Sequence, residues 1–160
     1  MTRHQYQDYS SKPKGGYNQK GEKKTKTEGE EERFNNELTT QFGSNYQSYF
    51  KNPDQLEYNS YINKLKDFIS SLLQKSDNIT TSQLRNVFSL AKKARAKEQL
   101  QIIRPKLAYV YGRSDKDELK KLLFFLDHQI TNVNSNDDVK KFQDFFESII
   151  AYHKYYGGKD

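Results

Sequence analysis

The chain has 160 residues, enough for one domain and a tail, and carries 27 basic against 21 acidic side chains, a net charge of +6. Cysteine is absent, which excludes disulfides, zinc ribbons and thiol catalysis. There is no long apolar run, and the first residues (MTRHQYQDYS) contain no hydrophobic signal region, so we expect no membrane span and a cytoplasmic location. The excess of positive charge favours a polyanionic partner.

The N-terminal third of the chain is strongly polar. Residues 1–33 hold a lysine block followed by an acidic block (EKKTKTEGEEER) and almost no aliphatic side chain, which predicts a disordered low-complexity tail. Residues 34–58 are polar but contain several aromatic side chains, and Pro53 separates them from the next segment. We interpret 34–58 as a linker that docks weakly on the domain or on a partner, and we predict a folded domain over 59–160.

Apolar residues beyond residue 59 recur with a period of 3.6, which predicts five amphipathic helices. The five apolar stripes begin at Ile62, Leu84, Leu100, Leu119 and Phe142. Pro105 interrupts the third stripe, so it must either kink that helix or open its second half at the first turn.

Helix start and stop signals agree with this division. The pairs Thr80–Gln83, Ser114–Asp117 and Ser135–Asp138 are typical of helix N-termini. Gly112 and the Gly157-Gly158 pair are typical of helix ends. Because no segment has a strand pattern, the predicted fold class is all-α: a compact bundle of about five helices with a disordered N-terminal extension.

Positive charge is concentrated in residues 80–113, which contain eight basic side chains and one acid. A helical projection places Arg85, Lys92 and Lys93 opposite the apolar stripe, so they face away from the core. Like charges on one surface repel each other unless an anion meets them, and arginines mixed with amides suit phosphate oxygens. The alternative is a solvated basic surface without a ligand. The segment 80–113 does not resemble a helix-turn-helix, the motif that would indicate duplex DNA. Single-stranded RNA is therefore our preferred ligand.

Tyr109 lies within this basic segment and is a candidate for stacking on unpaired bases. A position at the edge of the core or in an interface is the more common role for such a tyrosine. Both interpretations stay open from the sequence.

Catalysis has little support in the sequence. His4, His128 and His153 are far apart and lack metal-ligand spacing, and acids such as Asp117 and Asp138 are explained by helix N-termini. A glycine-rich phosphate loop and a nucleophile motif are both missing. We therefore predict no enzymatic activity, no metal and no cofactor.

The fourth helix is predicted to be apolar over more than half its circumference, because Phe124 and Phe125 flank its leucine stripe. Such a helix is either central in the bundle or covered by another subunit. We favour a protein interface that involves Phe124 or Phe125.

Three ordered motifs carry a family resemblance: TTSQLR (80–85), RPKLAYVYGR (104–113) and IIAYHKYYGGKD (149–160). Over about residues 60–160 the chain resembles the small helical subunit of the type III-A CRISPR effector, the Csm complex. The N-terminal extension of roughly 58 residues departs from the family pattern.

The resemblance implies a non-catalytic protein of antiviral defence, present in several stacked copies. The implied partners are other copies of itself, RRM-like backbone subunits, a large polymerase-like subunit, the guide RNA and the target RNA. Sequence choice would come from guide pairing, so this subunit would contact the RNA backbone.

The family's basic positions, transferred to this chain, join the other cations of the basic segment as candidate RNA contacts. Lys154, near the terminal glycines, is an addition to them. The candidate RNA-binding residues are Arg85, Lys92, Lys93, Arg95, Lys106, Arg113 and Lys154. The resemblance also brings in Arg104, but this residue lies near the apolar stripe, so two interpretations stay open: an RNA contact, or a residue that caps or braces neighbouring helices. Two alternative functions remain: a free-standing binder of single-stranded RNA or DNA, and a protein-protein adaptor.

Overall fold

The computed structural model describes residues 23–54, 57–75 and 81–158, and this part of the chain contains helices and no strand. The seven α-helices and one 3₁₀ segment are, in chain order, α1 (Lys26–Phe42), the 3₁₀ segment (Tyr46–Asp54), α2 (Tyr58–Lys75), α3 (Thr81–Lys93), α4 (Lys97–Gln101), α5 (Arg104–Arg113), α6 (Asp117–Thr131) and α7 (Asn136–Tyr155). The all-α prediction is confirmed.

The five predicted helices correspond to α2, α3, the α4–α5 pair, α6 and α7. Pro105 lies in the first turn of α5, where its missing N–H removes no intrahelical bond, so it opens a new helix and does not kink an old one. Helix α7 packs against α2 and α3, while α6 packs against α5 and the N-terminal elements. The core lies between these two groups.

Predicted and observed helix ends agree in part. Ser135 accepts a hydrogen bond from the Asp138 N–H at 3.3 Å, as expected of an N-cap. The predicted role of Ser114 as the N-cap of α6 is wrong. Lys116 occupies that position, and Ser114 is the C-cap residue that follows α5. Gly112 lies one residue before the last residue of α5. Thr80 lies outside the described residues.

The largest departure from the sequence prediction is in residues 26–54, which we call the N-terminal cover. The assignment of residues 26–33 to a disordered tail is wrong, because α1 begins at Lys26. Thr25 accepts the Glu28 N–H at 3.2 Å, and the Glu28 carboxylate accepts the Thr25 N–H at 2.6 Å, which closes a capping box. Residues 1–22 of the predicted tail lie outside the described residues.

The interpretation of residues 34–58 as a weakly docked linker is also wrong for the aromatic residues of the N-terminal cover. Phe42 stacks on Phe125 of α6 with a ring separation of 4.7 Å and packs edge-on against Phe68 of α2 at 5.1 Å. Tyr49 stacks on Tyr61 at 5.0 Å. These residues of the cover are fully or almost fully buried: Phe34, Leu38, Phe42, Tyr46, Tyr49 and Phe50. They therefore belong to the core.

The apolar excess of α6 is explained by this packing. Phe125 is fully buried among phenylalanines of other helices, so the proposal that it contacts another protein is wrong. Phe124 is partly buried and lies 5.9 Å from the Phe34 ring and 4.3 Å from the His128 ring. The face that the sequence suggested for a partner is covered by the chain's own N-terminal segment.

A buried glutamine fastens the N-terminal cover to α6. The Gln129 side chain is fully buried; its carbonyl oxygen accepts the Phe50 N–H at 3.1 Å, and its amide donates to the Tyr46 carbonyl. Both backbone groups lie in the 3₁₀ segment, where the regular α-helical hydrogen bonds do not form. One side chain thus satisfies a buried donor and a buried acceptor of the cover.

Candidate nucleic-acid interface

All seven candidate RNA-binding residues are exposed: Arg85, Lys92, Lys93, Arg95, Lys106, Arg113 and Lys154. On α3, the stripe of Leu84, Val87 and Ala91 is buried, so the basic residues of that helix face outward as the helical projection predicted. Exposure makes these cations available to a ligand but does not identify it.

Lys106 and Arg113 of α5 line the same groove, which has a volume of about 950 Å³ and lies between α3 and α5. We call it the α3–α5 groove. Asn86 and Leu90 line it from α3, and Tyr109 lines it from α5. In the part of the chain that the structure describes, no carboxylate forms an ion pair with Lys106 or Arg113. The groove is lined by three basic side chains, Lys106, Arg113 and Lys116, and by one acid, Asp115, so its rim has a net positive charge.

Arg113 has a defined position within this groove. Its guanidinium donates a hydrogen bond from Nη1 to the Tyr109 hydroxyl at 2.8 Å, and its Cζ atom lies 5.5 Å from the centre of the Tyr109 ring. The two residues are four positions apart on α5 and so share a face of the helix. Both side chains remain exposed.

The other candidates are not gathered in the groove. Lys92 lies 3.9 Å from the Glu147 carboxylate of α7 and 5.7 Å from the Phe88 ring. Arg95 lies in the loop between α3 and α4, and Lys154 in the last turn of α7. The predicted set is thus spread over a surface: three of its members lie on α3 and two on α5.

Arg104 has the bracing role that the sequence suggested. It donates to both carboxylate oxygens of Asp127 on α6, at 2.8 and 3.3 Å. The hydrogen bond to Asp127 raises the pKa of the guanidinium further above its ordinary value. Arg104 therefore joins α5 to α6 and helps to hold the α5 wall of the groove.

Several residues that shape this region have no predicted role. Asn86, Leu90 and Lys116 line the groove, although none was assigned a role there. Asn86 and Leu90 are separated by four positions on α3, so a search of that helix for the exposed face beside the cations would have found them. Lys116 lies in the turn after α5. The local sequence does not indicate which residues of other helices lie beside this turn.

Among the described residues, His128 and His153 belong to no cluster suited to a metal ion. His153 is buried, and Gly158 approaches it so closely that a Cβ at position 158 would lie 2.1 Å from the ring. The Gly158 N–H donates to the His153 carbonyl at 2.9 Å, while Gly157 has a φ of +86°, which suits glycine. The terminal Gly-Gly pair is therefore structural. His4 lies outside the described residues.

No group of three or more His, Asp or Glu side chains suited to a metal ion occurs among residues 23–54, 57–75 and 81–158. In the same residues, no helix is long and apolar enough to cross a membrane.

Comparison with known proteins gives one family. The family model described as Csm2 Type III-A matches residues 55–159. The chain belongs to this family. It is a small subunit of a type III-A CRISPR Csm complex.

A curated relative supports the assignment. The CRISPR system Cms protein Csm2 of Streptococcus thermophilus is 29% identical over 117 residues, which cover 63% of this chain and 94% of the relative. No solved structure matches the chain. The family match begins at residue 55, so α1 and the 3₁₀ segment precede it.

Proposed function

We propose that this Csm2 family member is a non-catalytic RNA-contacting subunit that lies along the target strand paired with the guide RNA. Several copies would stack beside the RRM-like backbone subunits and the large polymerase-like subunit of the complex in the cytoplasm. Its contribution to antiviral defence would be to hold the RNA backbone through the outward-facing cations of α3 to α5 and Lys154.

The positive rim of the α3–α5 groove is the observation that carries this proposal. Residues 80–113 hold eight basic side chains and one acid, and Lys106 and Arg113 project from one helix into one groove. Cations that face solvent together repel one another in the free protein. A bound polyanion removes that repulsion, so binding is favoured. Phosphate contacts made in this way position a strand without reading its sequence, as guide-directed recognition requires.

Charge reversal at the groove tests the phosphate contacts. The double variant Lys106→Glu/Arg113→Glu should weaken binding of single-stranded RNA, measured by fluorescence anisotropy at several salt concentrations. If each side chain neutralises one phosphate, the logarithmic salt slope should become about 1.4 less steep, at roughly 0.7 per contact. A second double variant, Lys92→Glu/Lys93→Glu, tests the α7 side of the surface.

A matched control carries the same change of charge elsewhere. Lys26 and Lys64 are exposed on α1 and α2, so Lys26→Glu/Lys64→Glu changes the net charge equally without touching the basic surface. If this control weakens RNA binding as much as the groove variant does, the contact is non-specific attraction and the site assignment is wrong. If the groove variant disrupts subunit assembly while RNA affinity is unchanged, the adaptor alternative replaces the proposal.

A further inference from the structure

Tyr109 is exposed to an extent that packing does not explain. Its relative exposure of 62% is similar to that of Tyr58 at 61% and Tyr155 at 74%, but Tyr109 lines the α3–α5 groove. Its neighbour on the next turn of α5, Arg113, donates a hydrogen bond to the ring hydroxyl. An exposed aromatic ring beside a guanidinium is a stacking platform for another planar group.

The surroundings of Tyr109 are apolar at the base and cationic at the rim. Val87 and Leu119 are buried at the base of the groove, and Leu90 is partly exposed beside them. Lys106, Arg113 and Lys116 line the groove with one acid, Asp115, and Arg113 contacts Tyr109 directly. A ligand that fits this arrangement has an apolar, planar part and an anionic part next to it.

The α3 wall of the groove provides a polar side chain. Asn86 lies on the α3 side, and its amide has donors and an acceptor that suit the hydrogen-bonding edge of a base. Unpaired bases of RNA are recognised by this combination of an aromatic face, a guanidinium and an amide. The volume of about 950 Å³ is within the range of ligand cavities.

We propose that the α3–α5 groove receives an unpaired base of the bound RNA, stacked on Tyr109, while Arg113 and Lys106 contact the adjoining phosphates. This inference rests on the proposed RNA contact and adds a base subsite to it. A peptide is the less suitable occupant, because a basic rim attracts only peptides with acidic side chains at the right positions. An RNA strand, in contrast, supplies a phosphate beside every base.

The variant that tests stacking is Tyr109→Leu, which keeps an apolar side chain but removes the aromatic face. Its binding to a uridine oligomer of about twelve nucleotides should weaken roughly tenfold, because stacking on one aromatic side chain contributes about 1–3 kcal/mol per base. Tyr109→Phe keeps the ring and should bind within about threefold of the unchanged protein. The matched control is Tyr58→Leu, since Tyr58 on α2 is 61% exposed and is not among the proposed RNA contacts, so this variant should bind like the unchanged protein.

A second probe isolates the base. An oligomer with the same sugar-phosphate backbone but no bases should bind the unchanged full chain and the Tyr109→Leu variant with equal affinity. Circular dichroism checks that the variants stay folded, which the exposure of Tyr109 leads us to expect.

The outcomes separate this inference from the proposed function. Weaker uridine binding by Tyr109→Leu, with no difference on the base-free oligomer, supports the base subsite. If Lys106→Glu/Arg113→Glu weakens binding but Tyr109→Leu does not, RNA contact stands and the base subsite is overturned. If neither variant changes binding, both proposals fail. If Tyr109→Leu releases partner proteins from the assembled complex without a change in RNA affinity, the groove is a protein interface and the inference is also overturned.

Discussion

The N-terminal cover and the basic surface of α3 to α5 are both rich in charged and aromatic residues, but the structure uses them in opposite ways. In the cover, Glu30 lies 3.2 Å from the Lys120 ammonium and accepts a hydrogen bond from Tyr111, and Glu37 lies 2.7 Å from Lys121. In the α3–α5 groove, Arg113 instead contacts an exposed tyrosine. Charges met within the chain stabilise the fold, whereas charges that face outward together favour an external ligand.

The largest expected effect comes from removing the N-terminal cover. Deletion of residues 1–54 would expose the apolar face of α6 and remove six large buried side chains, each of which contributes about 1.5–3 kcal/mol. We expect the free energy of unfolding to fall by at least about 5 kcal/mol and the protein to self-associate. Urea denaturation and sedimentation velocity measure the two effects. Deletion of residues 1–22 alone is the control, and equal behaviour of the two deletions would contradict a structural role for the cover.

Phe42→Ala gives a sharper version of the same comparison. Phe42 contacts Phe125 and Phe68, so the substitution should lower the free energy of unfolding by about 3–5 kcal/mol. A weakly docked linker would lose almost nothing. Tyr58→Ala is the control, because Tyr58 is 61% exposed and its loss should change stability by less than about 0.5 kcal/mol. Chemical denaturation of both variants decides between the two descriptions.

A smaller loss is expected for Gln129→Leu. The substitution leaves the Phe50 N–H and the Tyr46 carbonyl buried without their partner, at a cost of about 2–4 kcal/mol in unfolding free energy. Gln101→Leu is the comparison, since Gln101 is only partly buried and makes one hydrogen bond, to the Ile130 carbonyl at 2.8 Å. Similar denaturation midpoints for the two variants would mean that the buried amide does not fasten the cover.

The smallest expected effect is a pH dependence at Asp138, which joins the cover to α7. Burial alone would raise the pKa of this carboxyl, but the Asn134 and Ser135 backbone contacts and the Lys51 ammonium at 3.3 Å together hold it below its usual value. The stability that this carboxylate contributes is therefore present above about pH 4 and lost as the pH falls through the folded-state pKa. Asp138→Asn should lower the unfolding free energy by about 1–2 kcal/mol at neutral pH.

Thermal denaturation across the acid range tests the sign of that effect. The unchanged protein and Asp138→Asn should differ most at neutral pH and converge at low pH, where the carboxyl is protonated in both folded and unfolded states. Asp115→Asn is the control, because Asp115 is 88% exposed. A constant difference at every pH would assign the effect to packing and not to charge.

Local signals were sufficient for much of the bundle. The stripes after residue 59 match the helical period closely, so α2, α3, α6 and α7 appear where the sequence places them. Pro105 left two possibilities, a kinked helix or a new helix start, and the structure shows the second, in which its missing N–H removes no hydrogen bond. The position of the basic side chains on the outer face of α3 was also predictable from spacing alone.

The N-terminal cover shows where local reasoning was insufficient. Its capping box, Thr25 with Glu28, was visible in the sequence, as was the spacing of Phe34, Leu38 and Phe42 by four residues. The acidic and polar residues between them lowered the mean hydropathy, which favoured disorder. What offsets that polarity is tertiary: Phe42 is buried against Phe68 and Phe125 of other helices. Arg33 adds a hydrogen bond to Asp117 at 2.8 Å, which lowers the pKa of that carboxyl.

The sequence by itself determined the all-helical class, the helix periods, the absence of cysteine chemistry and the concentration of cations in residues 80–113, because each of these depends on residues near one another in the chain. Only the tertiary structure decided that the N-terminal cover lies on α6 and that Asn86, Tyr109 and Lys116 line the same groove as Arg113. Those relations join residues that are distant in sequence, and side-chain packing between helices, which no local pattern encodes, brings them together.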